Sequence, residues 1–134
     1  LCDRRQRQMC IRDRFMHGGL SNFFVHRWVT QSGQKAIGKT IKEINKMGSG
    51  LMWDSASPIW YRPQFAPDND ASRLFRGGKY LQVVGHTPVK DVILEGGVLS
   101  CDTFSTYRDG TPYGSREFCI VDTDTWQFET VPTK

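Results

Sequence analysis

The sequence predicts a domain of mixed class, α+β or α/β, with helices in its first half and an antiparallel β meander at its end. Three observations carry this. Apolar residues recur with a helical period over 34–47, the composition turns β-branched and aromatic from residue 80 onward, and 134 residues with 38% apolar content suffice for one core but not two.

The first fourteen residues, LCDRRQRQMCIRDR, show neither a helical nor a strand period. They hold five of the 18 basic and two of the 14 acidic residues, so 15–134 keeps 13 against 12, a net +1 of the formal +4. They resemble the in-frame translation of a sequencing adapter, and we read 1–14 as a non-native scar or disordered tail, a genuine basic tail being the alternative. The near-neutral remainder argues against a nucleic-acid footprint, which needs cations clustered on the folded part. No run approaches the roughly 18–20 apolar residues of a membrane span, and no signal peptide is evident. The expectation is a cytoplasmic protein with no nucleic-acid or membrane partner.

A short helical turn is expected near 21–30 and a longer helix over 34–47, where Ile37, Ile41 and Ile44 fall on one face among Lys35, Lys39, Lys42 and Lys46. Ser32 stands before it, and Gly48 with Gly50 after it. Residues 48–78, carrying Pro58, Pro63, Pro67, Gly77 and Gly78, read as a long loop. Strands follow in 80–85, 89–96, 97–102, 116–123 and 126–131, with Gly-Gly and Asp-Thr-Asp at hairpin-like turns. Cys101 and Cys119 lack metal-ligand spacing and read as reduced core residues. His26, in mid-helix with no partner motif, reads as structural.

Two histidines stand in more telling places. His17 precedes Gly18 and Gly19, whose freedom at positive φ would project the imidazole from a strand end. His86 follows Val83, Val84 and Gly85 at the exit of an apolar strand, where ligands gather in layered α/β proteins. Taken singly, each is more often an ordinary surface, core or turn residue than a ligand.

Taken together, MHGGLS (16–21), MWDSASPIWYRP (52–63) and VVGHTP (83–88) resemble the C-terminal half of the calcineurin-like metallophosphoesterases, a family that includes phosphoprotein phosphatases and diadenosine tetraphosphate hydrolases. The resemblance spans 15–134. It implies a two-sheet sandwich with flanking helices and a site holding two divalent metal ions, Mn, Fe or Zn. His17 and His86 would ligate one of them, and Arg62 would grip the substrate phosphate with Tyr107 beside it. Asp102 would orient a ligand imidazole from behind. The implied substrate is a phosphorylated protein or a nucleotide.

The family's Asp-x-His, Gly-Asp-x-x-Asp-Arg-Gly and Gly-Asn-His-Asp/Glu motifs do not occur in the sequence. The chain is therefore expected to be the C-terminal part of one domain, inactive by itself, with an exposed sheet edge where CIRDRFM leads into His17. A non-catalytic β-rich binding module with the same fold is the alternative.

Overall fold

A computed structural model describes residues 13–65 and 73–133. The expectations for 1–12, including Cys2 and Cys10, and for Pro67 lie outside the described residues.

Helix α1 (Asn22–Trp28) starts at Ser21, whose side chain accepts from the Phe24 amide, and it buries Phe24 and Val25. Complete burial of two such side chains contributes about 1.5–3 kcal/mol each. The helix expected over 34–47 is broken in two. Helix α2 (Gln31–Gln34) is capped by Thr30 rather than Ser32, and α3 (Ile37–Ile44) begins after an extended Ala36 at φ −140°. The break lets α3 fold back on α2. Glu43 then accepts from the Thr30 amide at 2.9 Å and the Thr30 hydroxyl at 2.7 Å, and the Thr40 hydroxyl donates to the Gly33 carbonyl at 2.8 Å. The bonds from the Thr30 hydroxyl and amide hold Glu43 below the usual carboxylate range. Among the described residues of the 48–78 loop there is one helical turn, α4 (Ser49–Met52), and a 3₁₀ turn over Pro63–Phe65.

Among the described residues there are six strands: β1 (Asp13–Met16), which begins within the segment read as having no strand period, and β2 (Leu81–Val84), β3 (Ile93–Glu95), β4 (Val98–Ser100), β5 (Glu117–Val121) and β6 (Phe128–Pro132), which fall inside or within a residue of the five expected strands. Their pairing does not form the single antiparallel meander. The first four make one sheet in the order β1-β2-β4-β3, in which β2 runs parallel to both β1 and β4. Only β3 with β4 and β5 with β6 are antiparallel, the latter as a separate two-stranded sheet. Gly96 at φ 57° and Gly97 at φ 80° close the β3–β4 hairpin, a turn that requires positive φ at both central positions.

Three layers result. Leu20, Phe24, Val25, Val29, Ile37 and Phe75 form a core under the helices. On the opposite face Leu81, Val83 and Leu99 meet Cys119, Val121 and Phe128 of the β5–β6 hairpin. Strand β2 is buried along its whole length, as a parallel strand covered on both faces must be. Cys101 and Cys119 are free thiols in this second core, and burial pushes Cys101 up to about 12. Strand β1 lies at the outer edge with Phe15 66% exposed. The proposed boundary at residue 14 thus falls inside a strand, since Asp13 and Arg14 pair with Leu81 and Gln82. Among the described residues no helix is long and apolar enough to cross a membrane.

Candidate functional site

His17 and His86 follow the last residues of β1 and β2, which are paired in parallel as far as Met16 and Val84. The Gly85 amide continues that pairing by donating to the His17 carbonyl at 3.1 Å. The two imidazoles meet at the carboxyl ends of neighbouring strands, 4.1 Å between ring centroids and inclined by 48°.

The glycines after His17 serve a purpose other than the one expected. Neither is at positive φ. What they supply is room: a Cβ on Gly18 would stand 2.6 Å from the Tyr61 carbonyl oxygen, and one on Gly19 would stand 2.8 Å from the Pro63 ring. The segment 52–63 lies directly on them, with the Gly18 amide donating to the Pro58 carbonyl at 2.7 Å and the Gly19 amide to that of Tyr61 at 2.8 Å. Fully buried Ser57 organises this segment: its hydroxyl donates to the Met52 carbonyl, and its own carbonyl accepts from the Trp60 and Tyr61 amides.

The left-handed residue of the site is instead His86, at φ 61°. An L-residue with a Cβ pays roughly 1–2 kcal/mol for that conformation, and such strain clusters at functional positions. It turns the chain after Gly85 so that the ring faces His17. The His86 Nε2 atom is buried and has no hydrogen-bond partner among the described residues. Desolvation, then the neighbouring Arg62 cation and His17, lower the His86 pKa below 6.5, while Asp102 pulls weakly the other way. The shift favours the neutral imidazole, which retains a nitrogen lone pair.

Arg62 reaches into the same corner, its Nη1 donating to the Thr87 hydroxyl at 3.2 Å and to the His86 carbonyl at 3.4 Å. Asp102 lies within electrostatic range of His86, but its carboxylate accepts from the Ser105 hydroxyl at 2.8 Å. Tyr107 sits on a separate hairpin loop, 52% exposed, with its ring 5.3 Å from that of Tyr113. The structure therefore gathers His17, His86, Arg62 and Asp102 and leaves Tyr107 packed elsewhere. His26 is exposed in the last turn of α1 rather than held in the core.

Two residues without an assigned role in the sequence reading also border the pair. The Trp60 ring stands edge-on to His86 at 5.4 Å, and Trp53, 71% exposed, stacks on Trp60 at 5.5 Å. The presence of two tryptophans in a polar, proline-bearing loop was the available signal.

The donor chemistry suits a divalent cation in part. An orphaned imidazole nitrogen beside a second imidazole is an incipient ligand pair for Mn, Fe or Zn. A catalytic zinc takes three protein ligands, however, and among the described residues no cluster of three or more His, Cys, Asp or Glu side chains is placed to hold a metal.

No family model and no curated protein matches the chain. Among solved structures it is similar to a cold-active protein tyrosine phosphatase, at 22% identity over 89% of this chain and 39% of that one, with a TM-score of 0.50. Another is the cold-active protein-tyrosine phosphatase of a psychrophilic Shewanella species, at 22% identity over 89% of this chain and 40% of that one, with a TM-score of 0.48. The chain spans about two-fifths of the length of these structures. At this identity the likeness is one of fold: a mixed α/β architecture shared with part of a phosphatase.

Proposed function

We propose that the chain contributes one half of the active site of a metal-dependent phosphoric ester hydrolase acting on a phosphorylated protein or nucleotide. The observation that carries this is the pairing of His17 with the strained, unpartnered His86 at the carboxyl ends of adjacent parallel strands. The phosphatase named among the structures of similar fold supports a phosphorylated substrate.

In this reading His17 and His86 hold one of two divalent ions, whose chemistry when bound is to polarise the phosphoryl group and to supply a nucleophile from water at neutral pH. The lowered pKa favours the neutral form of His86 that ligation requires. Arg62 is held against Thr87 and the His86 carbonyl through Nη1, and it presents its guanidinium to a phosphate, which it matches with two parallel hydrogen bonds. Asp102 steadies the electrostatics of His86 from behind, and Tyr107 reaches a phosphate only if its loop moves off Tyr113. The remaining ligands and the general acid come from outside this chain, so the isolated polypeptide is inactive.

The test is Mn²⁺-dependent hydrolysis of p-nitrophenyl phosphate by a protein extended upstream of Phe15, compared with its His86→Ala variant and with the chain alone. Metal-dependent turnover that falls at least 100-fold in His86→Ala is expected. Turnover by the isolated chain equal to that of the extended protein would overturn the half-site assignment. Activity absent, or indifferent to His86, would favour the second reading, a non-catalytic binding module, which the lack of a three-ligand cluster among the described residues supports.

A further inference from the structure

A cleft of about 550 Å³ opens near the amino-terminal end of β2, the end of the sheet opposite the histidine pair. Its wall carries His26 from the last turn of α1, Lys35 from the link between α2 and α3, and Arg76 and Lys79 from the segment entering β2. The amide side chains of Gln31 and Gln34 complete it, and no carboxylate lines it among the described residues. Among the described residues three cationic side chains and an imidazole thus line one cleft with no carboxylate beside them, in a chain whose residues 15–134 are almost balanced in charge.

The wall is built rather than incidental. Arg76 adopts φ 56°, a left-handed conformation that costs a non-glycine residue free energy. Its Nη2 is pinned to the carbonyls of Gln34 at 2.9 Å and Lys35 at 2.8 Å, which fixes the guanidinium between the helices and the strand entrance. The Gln34 amide is in turn anchored on the Val29 carbonyl at 2.7 Å and the Val25 carbonyl at 3.2 Å. A positively lined concavity with fixed walls focuses its potential on anions, and its volume accommodates a small molecule.

We propose that this cleft binds a small multivalent oxyanion, a di- or polyphosphate or a polycarboxylate, independently of the histidine site. Lys35 and Lys79 supply the adaptable charges at the rim, Arg76 the fixed one, and His26 a further donor.

The experiment is calorimetric titration of the chain with pyrophosphate and with citrate at constant ionic strength, repeated on Lys35→Glu/Lys79→Glu and on the milder Lys35→Gln/Lys79→Gln. The expected result is one saturable site for pyrophosphate, weakened at least tenfold by the charge reversals and less by the glutamines, with unchanged circular dichroism. Equal affinity for citrate assigns the cleft to multivalent oxyanions in general, and weaker citrate binding narrows it to phosphates. Non-saturating binding, an affinity indifferent to both double variants, or binding abolished instead by Arg62→Ala would overturn the proposal.

Discussion

The histidine end of the sheet and the β5–β6 hairpin are held by opposite means. Around His17 and His86 the chain is fixed by backbone hydrogen bonds from Gly18 and Gly19, by buried Ser57 and by a strained residue, so nearly every atom has one permitted place. The hairpin is held by one face only. Cys119, Val121 and Phe128 pack on the sheet, while Phe118 and Ile120 point outward, Phe118 59% exposed. A change at the first region meets closely packed backbone atoms, whereas one on the outer face of the second meets solvent, apart from Phe118, whose ring lies 5.0 Å from that of Phe104. The polar end therefore carries the specificity of the structure, and the hairpin supplies cover for Leu81, Val83 and Leu99.

Substitution of Gly18 by alanine is the sharpest way to break the contrast. Its new Cβ would meet backbone oxygens of Tyr61, Pro58 and Ile59 at 2.6, 2.9 and 3.0 Å. Lifting the 52–63 segment is expected to cost about 3 kcal/mol in denaturant titration and to change the fluorescence of Trp53 and Trp60. Loss within 0.5 kcal/mol would show that the segment is not seated as described.

The next effect has the opposite sign. Arg14, 3% exposed in β1, donates through Nη1 to the Phe75 carbonyl at 2.9 Å and lies against the Phe75 and Tyr80 rings, but its Nε and Nη2 are buried without partners. Desolvation pushes it down to about 10. Arg14→Leu removes a poorly compensated buried charge and should stabilise the fold by about 2 kcal/mol, measured by the same titration. Such a gain would support the reading of Arg14 as foreign to the strand it occupies.

At His86 the two available replacements separate strain from contact. Glycine relieves the positive φ and alanine does not, so His86→Gly should be more stable than His86→Ala by about 1 kcal/mol. Equal stability would mean that the left-handed conformation is not strained in solution.

The pH dependence sharpens the same point. His86 has a folded-state pKa depressed below 6.5, chiefly by desolvation, so the unfolded chain binds its proton more readily. Its contribution to stability is present above about 6.5 and is lost as pH falls from there through the folded value. Melting curves between pH 7.5 and pH 5 should decline more steeply for the wild type than for His86→Ala. The smallest effect is expected on the hairpin, where Ile120→Thr should change stability by no more than about 0.5 kcal/mol.

Much of the local structure was legible in the sequence because its causes are local. Ser21 and the apolar pair Phe24 and Val25 announce α1, Gly96 and Gly97 announce their hairpin, and the Asp122 carboxylate closes the next turn by accepting from the Asp124 amide. The break at Ala36 was not legible, since it depends on Glu43 reaching back thirteen residues to Thr30. Nor was the parallel pairing, in which β1 finds β2 across more than sixty residues and β4 slips between β2 and β3. Of the site, His17, His86 and Arg62 were marked out by their motifs, while the partners that give them meaning lie far along the chain.

By itself the sequence determined most of the helical and extended segments, the hairpin turns and which side chain types are chemically able to bind a cation or a phosphate, because those properties depend on residues within a few positions of each other; the break at Ala36 and the turn over Ser49–Met52 fell outside it. Only the tertiary structure decided that Gly18 and Gly19 make room rather than turn, that His86 is strained and its Nε2 unpartnered, and that Arg62 joins it while Tyr107 does not. Each of those facts is a contact between segments distant in sequence, and no local preference encodes it.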